Sequence, residues 1–106
     1  MTVDSCRRKY PFVYSARVKW GEMDALGHLN NTVYFRFSEE ARIHLFDDLQ
    51  IPVNSLQTSG PILAYIDCQF FSPVTFPDTL IVGSWIEHIG RTSIQIMHHY
   101  YSMTQS

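Results

Sequence analysis

Between Trp20 and Tyr34 the chain reads Trp-Gly-Glu-Met-Asp-Ala-Leu-Gly-His-Leu-Asn-Asn-Thr-Val-Tyr, and its polar residues are of kinds that move protons and hold carbonyl groups. Asp24 is a carboxylate on a loop hinged by Gly21 and Gly27, a few residues before the pattern turns helical at Asn30-Asn31. A carboxylate so placed can act as base or nucleophile. The unpaired N–H groups and positive dipole end of the following helix can stabilise a developing oxyanion. Neither a cationic side chain nor a metal is required. The same spacing suits a plainer role, because an Asp in a glycine-containing loop before a helix often closes a turn or meets the helix dipole. On spacing alone that plainer role is the commoner one.

The flanking pattern says which elements must position this loop. From residue 10 to residue 20 the chain alternates, with Phe12, Tyr14, Ala16, Val18 and Trp20 on one face and Ser15, Arg17 and Lys19 on the other, which predicts a half-buried strand. Asn30 is a natural N-cap, since its side-chain oxygen can accept an N–H of the first turn. From residue 31 to about 49, Tyr34, Phe37, Ala41, Leu45 and Phe46 recur at helical spacing. Val33, Phe35 and Ile43 widen that stripe and predict a helix covered on several sides. Three strands are expected after it, over residues 62–71, 79–89 and 93–101. Gly90-Arg91 suits a two-residue type II′ hairpin, which would set Ile89 opposite Thr92 and His98 opposite Gly83. Strand, long helix, then meander is an α+β order, with the helix on one face of an antiparallel sheet.

A chain of 106 residues with no repeat or linker reads as one domain, 1–106, and its small size makes help from a partner chain plausible. The net charge of −2 gives no basic field, so neither nucleic acid nor an anionic membrane is expected as a partner. Apolar runs are too short for a span or a signal sequence and the N-terminus is polar, from which a cytoplasmic location is expected. Cys6 and Cys68 form no CxxC pair and read as free thiols, Cys6 in a frayed N-terminal arm. The five histidines show no metal-ligand spacing, and phosphate-binding glycine motifs are lacking, so no metal and no cofactor is expected.

The loop pattern D-x-x-G-H-x-N-N-x-x-Y, preceded by an aromatic residue and an acid, resembles the signature of the 4-hydroxybenzoyl-CoA thioesterase-like branch of hotdog proteins. Asp24, Gly27, His28, Asn30, Asn31 and Tyr34 match it, as do Glu39-Glu40-Ala41-Arg42, Pro73-Val74 and Pro77-Asp78-Thr79-Leu80. The resemblance runs from about Tyr10 to Tyr101. It implies a hotdog fold, an antiparallel sheet wrapped around one long central helix, and hydrolysis of acyl-CoA thioesters by a homodimer or homotetramer with substrate across a subunit interface.

By position, the resemblance makes Asp24 the catalytic aspartate, as nucleophile or as general base on water. It makes the Asn31 backbone N–H the group that polarises the thioester carbonyl. Gly27 would let backbone pass close to the ligand, and His28 would support the site by hydrogen bonding. Asn30 and Tyr34 would border the substrate, and Arg91 at the hairpin tip could meet a coenzyme A phosphate. Glu22 reads as ion-paired or solvated, and Glu39 is the reserve carboxylate, because another hotdog branch carries its acid on the helix. Hotdog domains carry a further strand beyond residue 101, so the C-terminal strand is expected to be missing or completed by another molecule. Two other readings stay open. One is an acyl-carrier-protein thioesterase, which the negative charge disfavours, and the other is a non-catalytic acyl-binding hotdog dimer.

Overall fold

The fold is taken from a computed structural model that describes residues 1–51 and 63–104. It runs α1 (Val3–Lys9), β1 (Phe12–Arg17), a 3₁₀ turn (Trp20–Glu22), α2 (Asn31–Asp48), β2 (Thr79–Ile89) and β3 (Ile94–Ser102). The N-terminal arm is ordered, contrary to the frayed segment expected of it. Thr2 caps α1 through Ser5 N–H at 3.1 Å, Ser5 Oγ accepts the Thr2 N–H at 2.8 Å, and Arg7, Arg8 and Lys9 sit at the negative end of the helix dipole. What fixes α1 is Cys6, fully buried with Tyr10 and Ile81 in a small core of their own.

The sheet is antiparallel in the order β1-β2-β3. Its central strand does not alternate. Leu80 through Ser84 are all buried, because α2 covers one face while α1 and Tyr10 cover the other. Tyr10 lies against Gly83, stacked with Trp85 at 5.8 Å between ring centres, and its hydroxyl meets His99 Nδ1 at 2.8 Å. A Cβ on residue 83 would stand 2.5 Å from Tyr10 Cγ, and the ring is pinned at both ends. Gly83→Ala is therefore expected to destabilise the fold by roughly 1–3 kcal/mol, read as a lower thermal midpoint; an unchanged midpoint would refute this packing.

The hairpin register differs from the expected one. Gly90 N–H bonds Ser93 C=O at 2.8 Å, so residues 90–93 form the turn and Ile89 faces Ile94. The register then shifts between Ile86 and His88, and His98 faces Ser84 instead of Gly83.

Helix α2 begins at the expected cap: Asn30 Oδ1 accepts Thr32 N–H at 3.0 Å. It ends in a Schellman closure, with Ile51 N–H on Phe46 C=O at 2.8 Å, Gln50 N–H on Asp47 C=O at 2.9 Å, and Gln50 at φ 59°. Val33, Tyr34 and Phe37 pack on Ala16, Val18 and Leu80. Coverage is narrower than the sequence suggested, with Ile43 and His44 exposed. An antiparallel sheet against one long helix is nevertheless the α+β hotdog arrangement that the resemblance implied.

The strand expected over 62–71 does not form. Residue 62 lies outside the described residues, and 63–71 join no ladder. They reach α2 through Phe70, whose ring meets Tyr34 at 5.1 Å. A groove of about 1870 Å³ separates this segment from β3, whose second edge, over Ile94–Tyr101, joins no further strand among the described residues. No described helix is long and apolar enough to cross a membrane.

Candidate active site

Residues 23–29 form a miniature hairpin. Met23 and Leu29 make an isolated antiparallel bridge, Asp24 N–H bonds His28 C=O at 2.8 Å, and Gly27 N–H returns to Asp24 C=O at 3.0 Å. Gly27 holds φ +78°, the left-handed position that completes such a three-residue loop and that side chains disfavour. Nothing lies within 4 Å of where its Cβ would be, so the demand for glycine is conformational. The hairpin is stitched down by Leu29 N–H on Val74 C=O at 2.7 Å and Asn30 N–H on Glu22 C=O at 3.0 Å.

This turn aims the Asp24 side chain. Its Oδ1 accepts the Leu26 N–H at 2.9 Å and the His28 N–H at 3.4 Å, while Oδ2 accepts nothing among the described residues. One oxygen holds the loop and the other is unengaged among the described residues. At the helix start, Thr32 N–H goes to Asn30 Oδ1 and Val33 N–H to Asn30 C=O, which leaves the Asn31 N–H without an acceptor among the described residues. The candidate oxyanion donor is thus the uncapped N–H of α2.

Glu22 is ion-paired, as expected. Its Oε2 meets the Arg36 guanidinium and its Oε1 accepts the Lys19 N–H at 2.7 Å, so it ties the loop to α2. Asn30 acts as a cap and His28 is exposed, its own N–H spent on Asp24. Glu40 accepts the Tyr14 hydroxyl at 2.9 Å.

The site residues are not all brought together within one chain. Asp24 and Gly27 line a cleft of about 610 Å³ with Trp20, Gly21, Met23, Ala25, Thr75 and Phe76. Tyr34, Glu39 and Arg91 line the larger groove between β3 and 63–71, and His28, Asn30 and Asn31 line neither. Tyr34 is a core residue whose backbone C=O accepts the Tyr100 hydroxyl at 2.9 Å. Arg91 is exposed on the 90–93 turn. The larger groove also holds His98, whose Nδ1 lies 2.6 Å from Ser84 Oγ and whose buried Nε2 has no partner among the described residues. Burial first, and the Arg42 guanidinium second, lower its pKa to about 4. No three His, Cys, Asp or Glu converge among the described residues.

Two of the cleft walls are not among the residues that the sequence singles out. Alternation puts Trp20 on the apolar face of the first strand, yet it stands 76% exposed on the 3₁₀ turn, and Phe76 comes from a loop distant in sequence. Gly21 directly after Trp20, where alternation stops, was the available signal for the first of them.

Comparison with known proteins places this geometry among relatives. Residues 18–106 match the family model described as the thioesterase-like superfamily. A curated Aquifex aeolicus protein that bears a provisional esterase name is 30% identical over 83 residues, which is 76% of this chain and 65% of that protein. The YsmA protein of Bacillus subtilis is 26% identical over 94% of this chain and 66% of its own. The chain thus spans about two-thirds of the length of these relatives. Among solved structures, PA2801 of Pseudomonas aeruginosa superposes with a TM-score of 0.80 at 31% identity, covering 88% of this chain and 71% of that one. BH1999 gentisyl-coenzyme A thioesterase gives 0.79 at 29% identity, covering 86% and 75%.

Proposed function

The chain belongs to the thioesterase-like superfamily, and from that premise we propose that it hydrolyses acyl-coenzyme A thioesters with Asp24 as the reacting carboxylate. The supporting observation is the division of labour at Asp24: Oδ1 is spent on the Leu26 and His28 N–H groups and Oδ2 is not. Asp24 also lines an open cleft, where a carboxylate is a candidate base or nucleophile.

In the proposed reaction Asp24 takes a proton from water as the water oxygen attacks the thioester carbonyl, or attacks it directly to give a mixed anhydride that water then hydrolyses. The C–O bond forms first, and the C–S bond breaks when the tetrahedral intermediate collapses, a proton from water passing to the departing sulfur. The Asn31 N–H takes up the negative charge on the carbonyl oxygen of the tetrahedral intermediate, and coenzyme A leaves as its thiol. Asp24 and Asn31 sit on either side of the loop-to-helix junction, and Tyr34 and Arg91 line a different groove. That separation supports a substrate that lies across the junction of two copies, with Gly27, His28 and Asn30 from the loop beside it. Arg91 is then the group for a coenzyme A phosphate. No metal or cofactor enters this scheme.

The test is thiol release from a panel of short, long and aromatic acyl-CoAs by the purified protein, with its mass in solution read by light scattering. Turnover on at least one acyl-CoA by a dimer or larger species is the expected result. A folded protein inert towards every member of the panel would remove the proposal.

A further inference from the structure

Among the described residues the one ion pair joins Glu22 to Arg36, and it sits at the loop that carries Asp24. The Glu22 side chain is 8% exposed and that of Arg36 51%, so a carboxylate drawn out of water answers a guanidinium still half in it. We propose that Glu22 and Arg36 are positioning residues for the reaction: their pairing holds the Asp24 loop in place against the start of α2, and so sets where the Asp24 carboxylate stands relative to the Asn31 N–H. This rests on the hydrolase reading of Asp24 and Asn31 and adds two residues that act through them.

Glu22 joins three pieces of chain. It ends the 3₁₀ turn just before Met23 and Asp24, its Oε1 accepts the Lys19 N–H at 2.7 Å, and its backbone C=O accepts the N–H of Asn30, the cap of α2, at 3.0 Å. The ion pair adds the second turn of the helix, where Arg36 lies. The guanidinium carbon also lies 5.7 Å from the centre of the ring of Phe37, a core residue. Loop and helix are thus tied at one residue through both backbone and side chain. Asp24 follows one end of the backbone bond closely, and Asn31 follows the other directly.

A half-exposed ion pair adds little to stability, whereas a misplacement of about 1 Å at reacting groups can cost on the order of 10²-fold in rate. The larger effect of breaking the pair is therefore expected on turnover. Its two halves are also unequal. Removing Arg36 leaves a nearly buried carboxylate without its counter-charge, which the loop relieves by moving Glu22 towards water. Removing the charge of Glu22 strands nothing, because Arg36 is already half solvated and a Gln carbonyl oxygen can still accept the Lys19 N–H. Neither residue lines the Asp24 cleft or the larger groove, so the pair acts by placement and not by contact with substrate.

The experiment measures kcat and KM on the best acyl-CoA for wild type, Arg36→Ala, Arg36→Lys, Glu22→Gln and the double variant Glu22→Gln with Arg36→Ala, and follows amide exchange at Asn30 by NMR. Arg36→Ala is expected to lower kcat about tenfold while KM changes less than about twofold. Arg36→Lys, which keeps the charge, should recover most of that loss. Glu22→Gln should cost about threefold in kcat, and the double variant should match it, regaining part of what Arg36→Ala lost. A folded Arg36→Ala with wild-type kcat, or losses that multiply in the double variant, would overturn the proposal. A loss carried by KM would assign Arg36 to substrate binding and overturn it as well. Should Arg36→Ala not fold, Glu22→Gln decides alone, and a wild-type kcat there overturns the pair's role. If wild type hydrolyses no acyl-CoA, the hydrolase reading fails separately and exchange decides whether the pair holds the loop. The Asn30 amide, bonded to Glu22 C=O, should then exchange about tenfold faster in Arg36→Ala and return to the Glu22→Gln rate in the double variant. An Asn30 amide that keeps its wild-type rate in Arg36→Ala sinks the proposal.

Discussion

Asp24→Asn should lower turnover on the best acyl-CoA by on the order of 10²–10⁴-fold, the range for loss of a general base, with acyl-CoA binding largely kept. The structure makes this substitution clean. The oxygen that holds the loop accepts from Leu26 and His28, and an Asn carbonyl oxygen can do the same, so the turn survives while the charge and basicity go. If Asp24 served only as a turn and dipole residue, turnover would stay nearly unchanged and stability would fall by roughly 0.3–1 kcal/mol. Glu39→Gln is the companion measurement. Glu39 is exposed on α2 and lines the larger groove, away from the Asp24 cleft, so its loss should cost little. A severe defect in Glu39→Gln beside a healthy Asp24→Asn would move the chemistry to the helix.

Acid should weaken the fold through His98. An unfolded chain titrates its histidines near 6.5, whereas folded His98 titrates at about 4 because it is buried and faces the Arg42 guanidinium. Between those values the unfolded chain binds the proton and the folded chain does not. Stability from this group is therefore full above about pH 6.5, falls as pH drops, and is gone below about pH 4, a total on the order of 3 kcal/mol. Urea unfolding of wild type from about pH 7 to about pH 4.5 should show that slope. His98→Asn can keep a hydrogen bond to Ser84 but has no proton to take up, and it should flatten the curve. Parallel curves for the two proteins would show that His98 is not the sensor.

The parts legible in the sequence are those decided locally. The Asn30 cap depends on one side chain and the two residues after it, and the α2 stripe on a period of 3.6. The loop was legible because each turn residue, Gly27 above all, answers a backbone need within five positions. What failed was decided by neighbours far along the chain. An apolar run such as 63–71 is a strand only if another edge lies within hydrogen-bonding reach, and composition does not report that distance. The alternation seen in β2 was overridden because α1 covers its second face, and the local signs of α1 were short ones, the Thr2–Ser5 capping box and the basic last turn of Arg7, Arg8 and Lys9. The hairpin failed by a different route: Gly90 suits several turn lengths, and the register was settled by the bulge between Ile86 and His88. The cleft wall of Phe76 could not be read at all, since it lies 52 positions from Asp24 in sequence.

The side of β3 that, over Ile94–Tyr101, pairs with nothing among the described residues has a consequence for how the chain meets deuterated water. Along Ile94–Tyr101, successive amides point alternately to β2 and away from it. Those that point to β2 are locked in a ladder between two strands, and those that point away face the groove. One strand thus carries two clocks, with slow and fast exchange alternating residue by residue. The sequence Ile-Gln-Ile-Met-His-His-Tyr-Tyr-Ser holds no proline, lysine or carboxylate to blunt that side. Any strand that settled there, from this polypeptide or another, would stop every fast clock together and leave the slow ones untouched.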